Sequence, residues 1–334
     1  MDHISFDCHS NVGGSCINGA NGDGSGSTYS YQPVCDSHGT HVAGIIGAKR
    51  QNGAPVGVEG VAPDAQLVSV RVINYCTNGG TPTFPYTGLV YTSSVIGAIN
   101  WVAARSEADG GNVNRIGAVA NISILWQDFN NSGNDRYTYI DANGRAALTS
   151  AVKAAVNKGV FFSFAAGNSQ YDTCHIYPAS IGASTLGAMA VGAIAHEESP
   201  MQLPSEDKYA SHGPCVEIWA PGQSVQSTGA YPGTVLGNTY GPPADVWGAG
   251  IPLHPSSSNL YPGQHYYFQQ TGSSMAAPHV AGAALLVAQK YKRERGYLPS
   301  PAQVEQAIVK ARRNLNRTYF GYSMHLLQVE NLGF

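Results

Sequence analysis

Charge is scarce in this sequence. Asp, Glu, Lys and Arg make up 12% of the 334 residues, about half the usual share of ~25% in soluble domains. What charge there is nearly cancels, since 18 basic and 21 acidic residues give a formal net charge of −3. No basic stripe is left to follow a phosphate backbone or an anionic bilayer, so nucleic-acid and membrane partners are not expected. Long apolar runs are also missing. The richest, HVAGAALLVA over 279–288, falls well short of the ~18–20 residues that cross a bilayer and reads as a buried helix. The opening MDHISFDC has neither the basic start nor the apolar core of a secretory leader. The Gly-x-Ser-x-Gly turn of lipase-type hydrolases is absent as well.

Glycine and cysteine are what the chain does have. Forty glycines imply many tight turns and close backbone approaches. Six cysteines, an even number in a low-charge chain, fit disulfides and an oxidising compartment. Buried free thiols are the alternative. A secreted-looking chain without a leader leads to the expectation that the sequence as given starts late.

Residues 8–37 are turn-rich, dominated by Gly, Ser, Asn and Asp. Beyond them, apolar runs and helical patterns alternate. A small-residue helix starts at THVAGIIGAKR, and AQLVSVRVI over 65–73 is a β-branched strand. Helical spacing over 93–106 leads to the strand IGAVANISI, 116–124. A helix over 144–159 runs into the strand VFFSFAAG. AMAVGAIA and CVEIWAPG are two further strands, and SPAQVEQAIVKA carries a serine cap and an early proline, both helix-start signals. Strands alternating with helices imply parallel pairing through crossovers, hence an α/β layered domain with a mainly parallel sheet. Two segments, 127–143 and 229–268, fit no regular element and read as surface insertions.

Three stretches carry chemistry. In GSSMAAPHVAG, Pro278 belongs near a helix start. Ser274 therefore sits where main-chain N–H groups and the positive dipole end stabilise an oxyanion. A serine needs a base, and SHGTHVAGIIG offers His38. His41 lies three residues further on, but the helical zinc motif needs a spacing of four and a glutamate. No metal site is expected there, and His41 reads as a buried structural residue. In FSFAAGNSQ, Asn168 ends a strand, where its amide can donate to a tetrahedral oxyanion. Taken singly, these are a helix start, a histidine and a turn asparagine.

Together and in this order they resemble the subtilisin-like serine proteases, the subtilases, over nearly the whole chain. HGTHVAG is similar to the family's histidine block, AAGN to its oxyanion block and GSSMAAPHVAG to its serine block, with Ser273 where threonine is commoner. The resemblance implies a three-layer subtilisin-like α/β fold spanning 1–334. It implies His38 as general base, Ser274 as nucleophile and Asn168 as oxyanion donor. The likeness is greatest to the proteinase K and aqualysin branch, through VANISI, AAGNSQYDTCHIYPAS and CVEIWAPG. Six cysteines alone allow 15 pairings. The resemblance implies Cys35–Cys76 and Cys174–Cys215 and leaves Cys8 and Cys16 to pair locally.

The resemblance also implies that a peptide substrate binds as a strand between two edges. These are Ser123, Ile124, Leu125 and Trp126 on one side and Ala165, Ala166 and Gly167 on the other. The family's usual SLGG is SILW here, so the wall of the first specificity pocket is altered, unless Trp126 is plain core. The family's glycine-rich edge is likewise changed, to GLVYTSS over 88–94. No cofactor is required. A structural calcium is conceivable at Glu217, where some relatives bind it through an aspartate. Sequons stand at Asn121, Asn130 and Asn316, the first inside an expected buried strand. The expected partner is a protein or peptide substrate, for a secreted monomer.

The triad also needs a carboxylate to orient the histidine. In subtilisin it precedes the histidine by about 30 residues, and Asp7 precedes His38 by 31. Yet Asp7 is followed by CHSN rather than by x-Gly, and Asp2 fits no better. ISFDCHSN resembles the segment that follows the catalytic aspartate in this branch. The expectation is therefore that the aspartate strand lies upstream of Met1. Asp7 in an unusual setting and a true loss of the carboxylate remain as alternatives. The expected activity is peptide-bond hydrolysis through an acyl-enzyme. Two others stay open: an impaired, peptide-binding or regulatory protein, and a transpeptidase or macrocyclase whose 229–268 insertion shields the acyl-enzyme.

Overall fold

The structure is a computed structural model that describes residues 2–7, 17–19, 38–49, 58–76, 88–108, 116–129, 138–203, 208–229 and 266–333. Its strands in chain order are β1 (Asp2–Asp7), β2 (Ile17–Gly19), β3 (Val68–Arg71), β4 (Ile73–Cys76), β5 (Gly88–Val90) and β6 (Ala118–Ile122). There follow β7 (Trp126–Gln127), β8 (Thr138–Tyr139), β9 (Val160–Ala165), β10 (Ile176–Tyr177), β11 (Ala188–Ile194) and β12 (Gln202–Leu203). The last six are β13 (Lys208–Tyr209), β14 (Ile218–Pro221), β15 (Val225–Gly229), β16 (Tyr266–Gln270), β17 (Arg313–Tyr319) and β18 (Tyr322–Leu326). The helices are α1 (His38–Gly47), α2 (Thr92–Ala108), α3 (Ala142–Asn157), α4 (Ala179–Gly182), α5 (Ser273–Arg295) and α6 (Pro301–Ala311).

The central sheet has six strands in the order β17-β18-β14-β11-β9-β6. Five of its strands, β18 to β6, are parallel, and only β17 runs back against β18. Side chains of β9 and β11 alternate between two cores, as the two-residue repeat of a strand requires. Phe161, Met189 and Val191 face α5 and α6, meeting Ala276, Val280, Val304 and Ile308. Phe162, Phe164 and Ala190 face α2 and α3, meeting Val95, Ile99, Leu148 and Val152. A sheet between two helix layers is the expected three-layer α/β architecture. A smaller sheet, β2-β1-β3, pairs β1 with β3 in parallel, and α2 packs on both β1 and β6.

Local chemistry sets the element ends. α6 starts in a capping box: the Ser300 hydroxyl accepts from Gln303 N–H while the Gln303 side chain accepts from Ser300 N–H. α3 is capped by Asp141, whose carboxylate accepts from Gly144 N–H. The expected disulfide Cys174–Cys215 is formed. Cys8, Cys16, Cys35 and the Cys76 side chain lie outside the described residues.

The two segments expected to be irregular are only partly so. In 127–143, Gln127 is buried and belongs to β7, Thr138–Tyr139 forms β8 on its flank, and α3 has begun by Ala142. In 229–268, Gly229 ends β15 and pairs with Tyr266, which opens β16. The chain thus leaves and returns at one point, and 230–265 lies outside the described residues.

Candidate active site

Two helix starts and one strand end build the site. His38 is the first residue of α1 and Ser274 the second of α5. The two helices pack on each other through Val42, Ile45 and Met275, so the first turn of α5 lies against α1. α1 is also tied to β15, since the Thr228 and Ser227 hydroxyls donate to the carbonyls of Thr40 and His41 at 3.0 and 2.8 Å. His41 is wholly buried beside this tether. Among the described residues no group of three or more His, Cys, Asp or Glu side chains gathers to hold a metal ion.

Asn168 follows β9 and is clamped to the start of α5. Its side-chain oxygen accepts the Ser273 N–H at 2.7 Å, and its Nδ2 lies beside Gly272, where an added Cβ would stand 3.2 Å away. The Ser273 hydroxyl in turn accepts the Gly167 N–H at 3.0 Å. Gly167 has φ +115°, and a Cβ there would meet the Ser211 hydroxyl at 2.6 Å, so only glycine fits. The amide oxygen spent on Ser273 N–H fixes the carboxamide beside the first residues of α5. The Met275 N–H bonds Gly272 O at 3.0 Å. Ser274 N–H, between two engaged amides, has no recorded partner among the described residues. Ser274 is 9% exposed, enough for its hydroxyl to meet a substrate. One hydroxyl, one main-chain N–H and one carboxamide at a helix N-terminus form the pattern that stabilises a tetrahedral oxyanion.

The two expected substrate edges differ from each other. The stretch Ser123–Leu125 leaves β6 at its carboxyl end, the usual site location in open α/β sheets. Ile124 and Leu125 have no recorded main-chain partner among the described residues, so they can pair with an extended peptide. Trp126 does not share that role: it is 2% exposed, packs in the α2–α3 core, and its strand pairs with β10 and β8 on both sides. Its large side chain finds more contact in that core than at a solvent-facing edge. Leu125 is half-buried against both cores. Across the site, Ala165, Ala166 and Gly167 are buried and their hydrogen bonds are already made. Ala166 N–H goes to Val191 O, Gly167 O accepts from Ser211 N–H, and Ala166 O accepts from Thr173 Oγ1. That side can wall a pocket, and the main chain of Ala166 and Gly167 is already bonded. Sequence reasoning missed the clamp role of Ser273; the only signal was a hydroxyl next to Ser274.

Asp7 closes β1, at the carboxyl end of a strand parallel to β3; its side chain lies outside the described residues. Asn121 is half-buried with its amide on the Ser123 hydroxyl, a poor glycan acceptor, and Asn316 is exposed. Glu217 is held by the main chain. Its carboxyl accepts the Ala190 N–H at 2.9 Å and packs against Gly182. Burial pushes it up to about 8, the neighbouring Glu305 adding to the effect.

A parallel α/β sheet with a serine and a histidine at the starts of two packed helices and a clamped asparagine is an arrangement that suits a serine-nucleophile hydrolase. The Subtilase family model matches residues 13–323, and the chain belongs to that family. It is 31% identical over 275 residues to alkaline serine exoprotease A of Vibrio alginolyticus, covering 82% of this chain and 34% of that protein. It is 29% identical over 294 residues to an extracellular serine proteinase of Thermus sp. (strain Rt41A), covering 88% of this chain and 50% of that one. This chain thus spans between a third and half of the length of these relatives. Among solved structures it is similar to a cold adapted subtilisin-like serine proteinase, with a TM-score of 0.56 and 27% identity over 88% of this chain and 75% of that one.

Proposed function

We propose that this chain is the catalytic domain of a secreted serine endopeptidase. His38 takes the proton of the Ser274 hydroxyl as Oγ attacks the substrate carbonyl. Ser274 N–H and Asn168 Nδ2 hold the resulting oxyanion. The tetrahedral species collapses to an acyl-enzyme as His38 gives its proton to the leaving amine, and water then releases the acyl group by the reverse sequence. The observation that carries this is the Asn168–Ser273 clamp, which fixes the carboxamide at the start of α5, one residue from Ser274. Secretion is supported by the Cys174–Cys215 disulfide and by the word extracellular in the name of the Thermus relative. The substrate is an extended peptide, and the working unit is a monomer.

The carboxylate that orients His38 is assigned to a strand between β6 and β3, with Asp7 as the alternative. In support, β6 is the last strand of the central sheet and β3 the last of the smaller one. Among the described residues neither has a partner on its outer side, and α2 packs on both sheets. A strand there would end at the same carboxyl edge as Ser123.

The test is hydrolysis of a denatured protein and of a peptide library, with products read by mass spectrometry. Internal cleavage that Ser274→Ala abolishes is the expected result. Ligated products in the presence of an added amine would favour transfer over hydrolysis. Peptide binding without turnover would favour a regulatory protein. Either outcome replaces the endopeptidase reading.

A further inference from the structure

α5 contains a proline that removes a hydrogen bond from its own nucleophile. Pro278 lies four residues after Ser274. In an α-helix the N–H of residue i+4 bonds the carbonyl of residue i, and proline has no N–H. Its ring also crowds the carbonyl four residues back. The Ser274 carbonyl is therefore pushed outward and left without its helical donor. The neighbouring helix carbonyls are better served: Ala277 O accepts from the Ser163 hydroxyl at 2.7 Å and Met275 O from the His279 ring at 2.8 Å.

One side chain fills the gap. The Ser123 hydroxyl donates to Ser274 O at 3.1 Å, across 151 residues of sequence. Its own orientation is set by Asn121, whose Nδ2 donates to Ser123 Oγ at 3.0 Å. With the oxygen occupied as acceptor, the hydroxyl proton is directed to Ser274 O. The peptide between Ser274 and Met275 is then held at both ends, by Ser123 at its carbonyl and by Gly272 O at its N–H. Ser123 also belongs to the stretch that leads from β6 to Leu125, along which the substrate lies.

We propose that Ser123, oriented by Asn121, is a positioning residue that replaces the hydrogen bond lost to Pro278 and so holds the nucleophile Ser274 in register with the substrate edge. This role rests on Ser274 being the nucleophile of a peptidase. It acts through the main chain of Ser274, without touching the scissile bond. Removing the hydroxyl loosens the attacking geometry and leaves substrate binding along Ile124 and Leu125 intact.

The test compares parent, Ser123→Ala, Ser123→Thr and the double variant Ser123→Ala/Pro278→Ala in hydrolysis of one peptide ester, with kcat counted per titrated active site and thermal midpoints recorded beside it. Ser123→Ala lowers kcat about tenfold, the worth of one such bond, with KM unchanged. Ser123→Thr keeps the hydroxyl and stays near the parent. The double variant restores an amide N–H at residue 278, where it can bond Ser274 O, and recovers most of kcat. A lower midpoint with unchanged kcat in Ser123→Ala would make the bond merely structural and overturn the positioning role. A double variant as slow as Ser123→Ala would overturn the link to Pro278. A parent that turns over no substrate would refute the peptidase assignment and the positioning role with it, whereas an active parent with an unaffected Ser123→Ala refutes the positioning role alone.

Discussion

Replacing Glu217 by glutamine removes a titration that weakens the fold as pH rises. The Glu217 carboxyl sits between β11 and α4, accepts the Ala190 N–H, and shares its pocket with Glu305, which accepts the Gly187 N–H. Burial, first of all, raises Glu217 from 4.5 to about 8; the Ala190 N–H and Arg312 oppose the rise and Glu305 adds to it. Glu305 is raised as well, again chiefly by burial. The folded state therefore binds a proton that the unfolded state releases above its ordinary value. The associated stability is fully present below pH 4.5 and is lost as pH climbs through about 8. Each pH unit in that window costs about 1.4 kcal/mol, so the loss is about 3 kcal/mol at pH 7 and about 5 kcal/mol above pH 8. The substituted carboxamide keeps an oxygen for Ala190 N–H and carries no proton to lose. The assay is a thermal midpoint series from pH 4 to 9 in a Ser274→Ala background, which prevents self-digestion. Parent and Glu217→Gln should coincide at pH 4. The variant should then gain about 2 °C for each kcal/mol, reaching about 6 °C at pH 7. A difference that is constant with pH, or that grows toward acid, would refute the reasoning.

Three further outcomes are expected. Asn168→Ala should lower kcat by about 10²–10³-fold; Asn168→Asp, which keeps the acceptor for Ser273 N–H but loses the donor, should be at least as slow with the thermal midpoint better preserved, and a fast aspartate variant would show that the carboxamide is only a clamp. Opening the Cys174–Cys215 bridge by the double alanine change frees a loop of 41 residues and should cost about 4 kcal/mol by loop entropy, read by denaturant unfolding; an unchanged midpoint would contradict it. Asp7→Asn should leave kcat within a few-fold of the parent if the orienting carboxylate comes from another strand, whereas a loss near 10⁴-fold would place Asp7 in the triad.

The central layers were readable because burial on both faces leaves unbroken apolar runs. VFFSFA and AMAVGAI are such runs, and both are wholly buried strands. α6 was announced by Ser300 and Pro301, and the structure adds the reciprocal Gln303 bond. The β17–β18 hairpin was not anticipated. RNLNRTY is mostly exposed and polar, held by pairing to β18 rather than by an apolar face. Trp126 was misplaced at the substrate edge because position along a motif does not reveal which way a side chain turns. The surroundings of Glu217 were not legible because its partners, Gly182 from α4 and Glu305 from α6, are distant in sequence. In the site, residue types and order singled out His38, Ser274 and Asn168, which the structure places at two helix starts and after a strand end. The clamp by Ser273 and the bond from Ser123 to Ser274 O depend on contacts across 105 and 151 residues, which no local pattern encodes.

The most direct test is covalent. The folded chain is treated with an alkyl fluorophosphonate, which reacts with activated serines, and the adduct is located by peptide mass spectrometry. One adduct on Ser274, lost in His38→Ala, is the predicted result. No adduct, labelling of another serine, or labelling of Ser274 that survives loss of His38 would contradict a His38-activated Ser274 nucleophile.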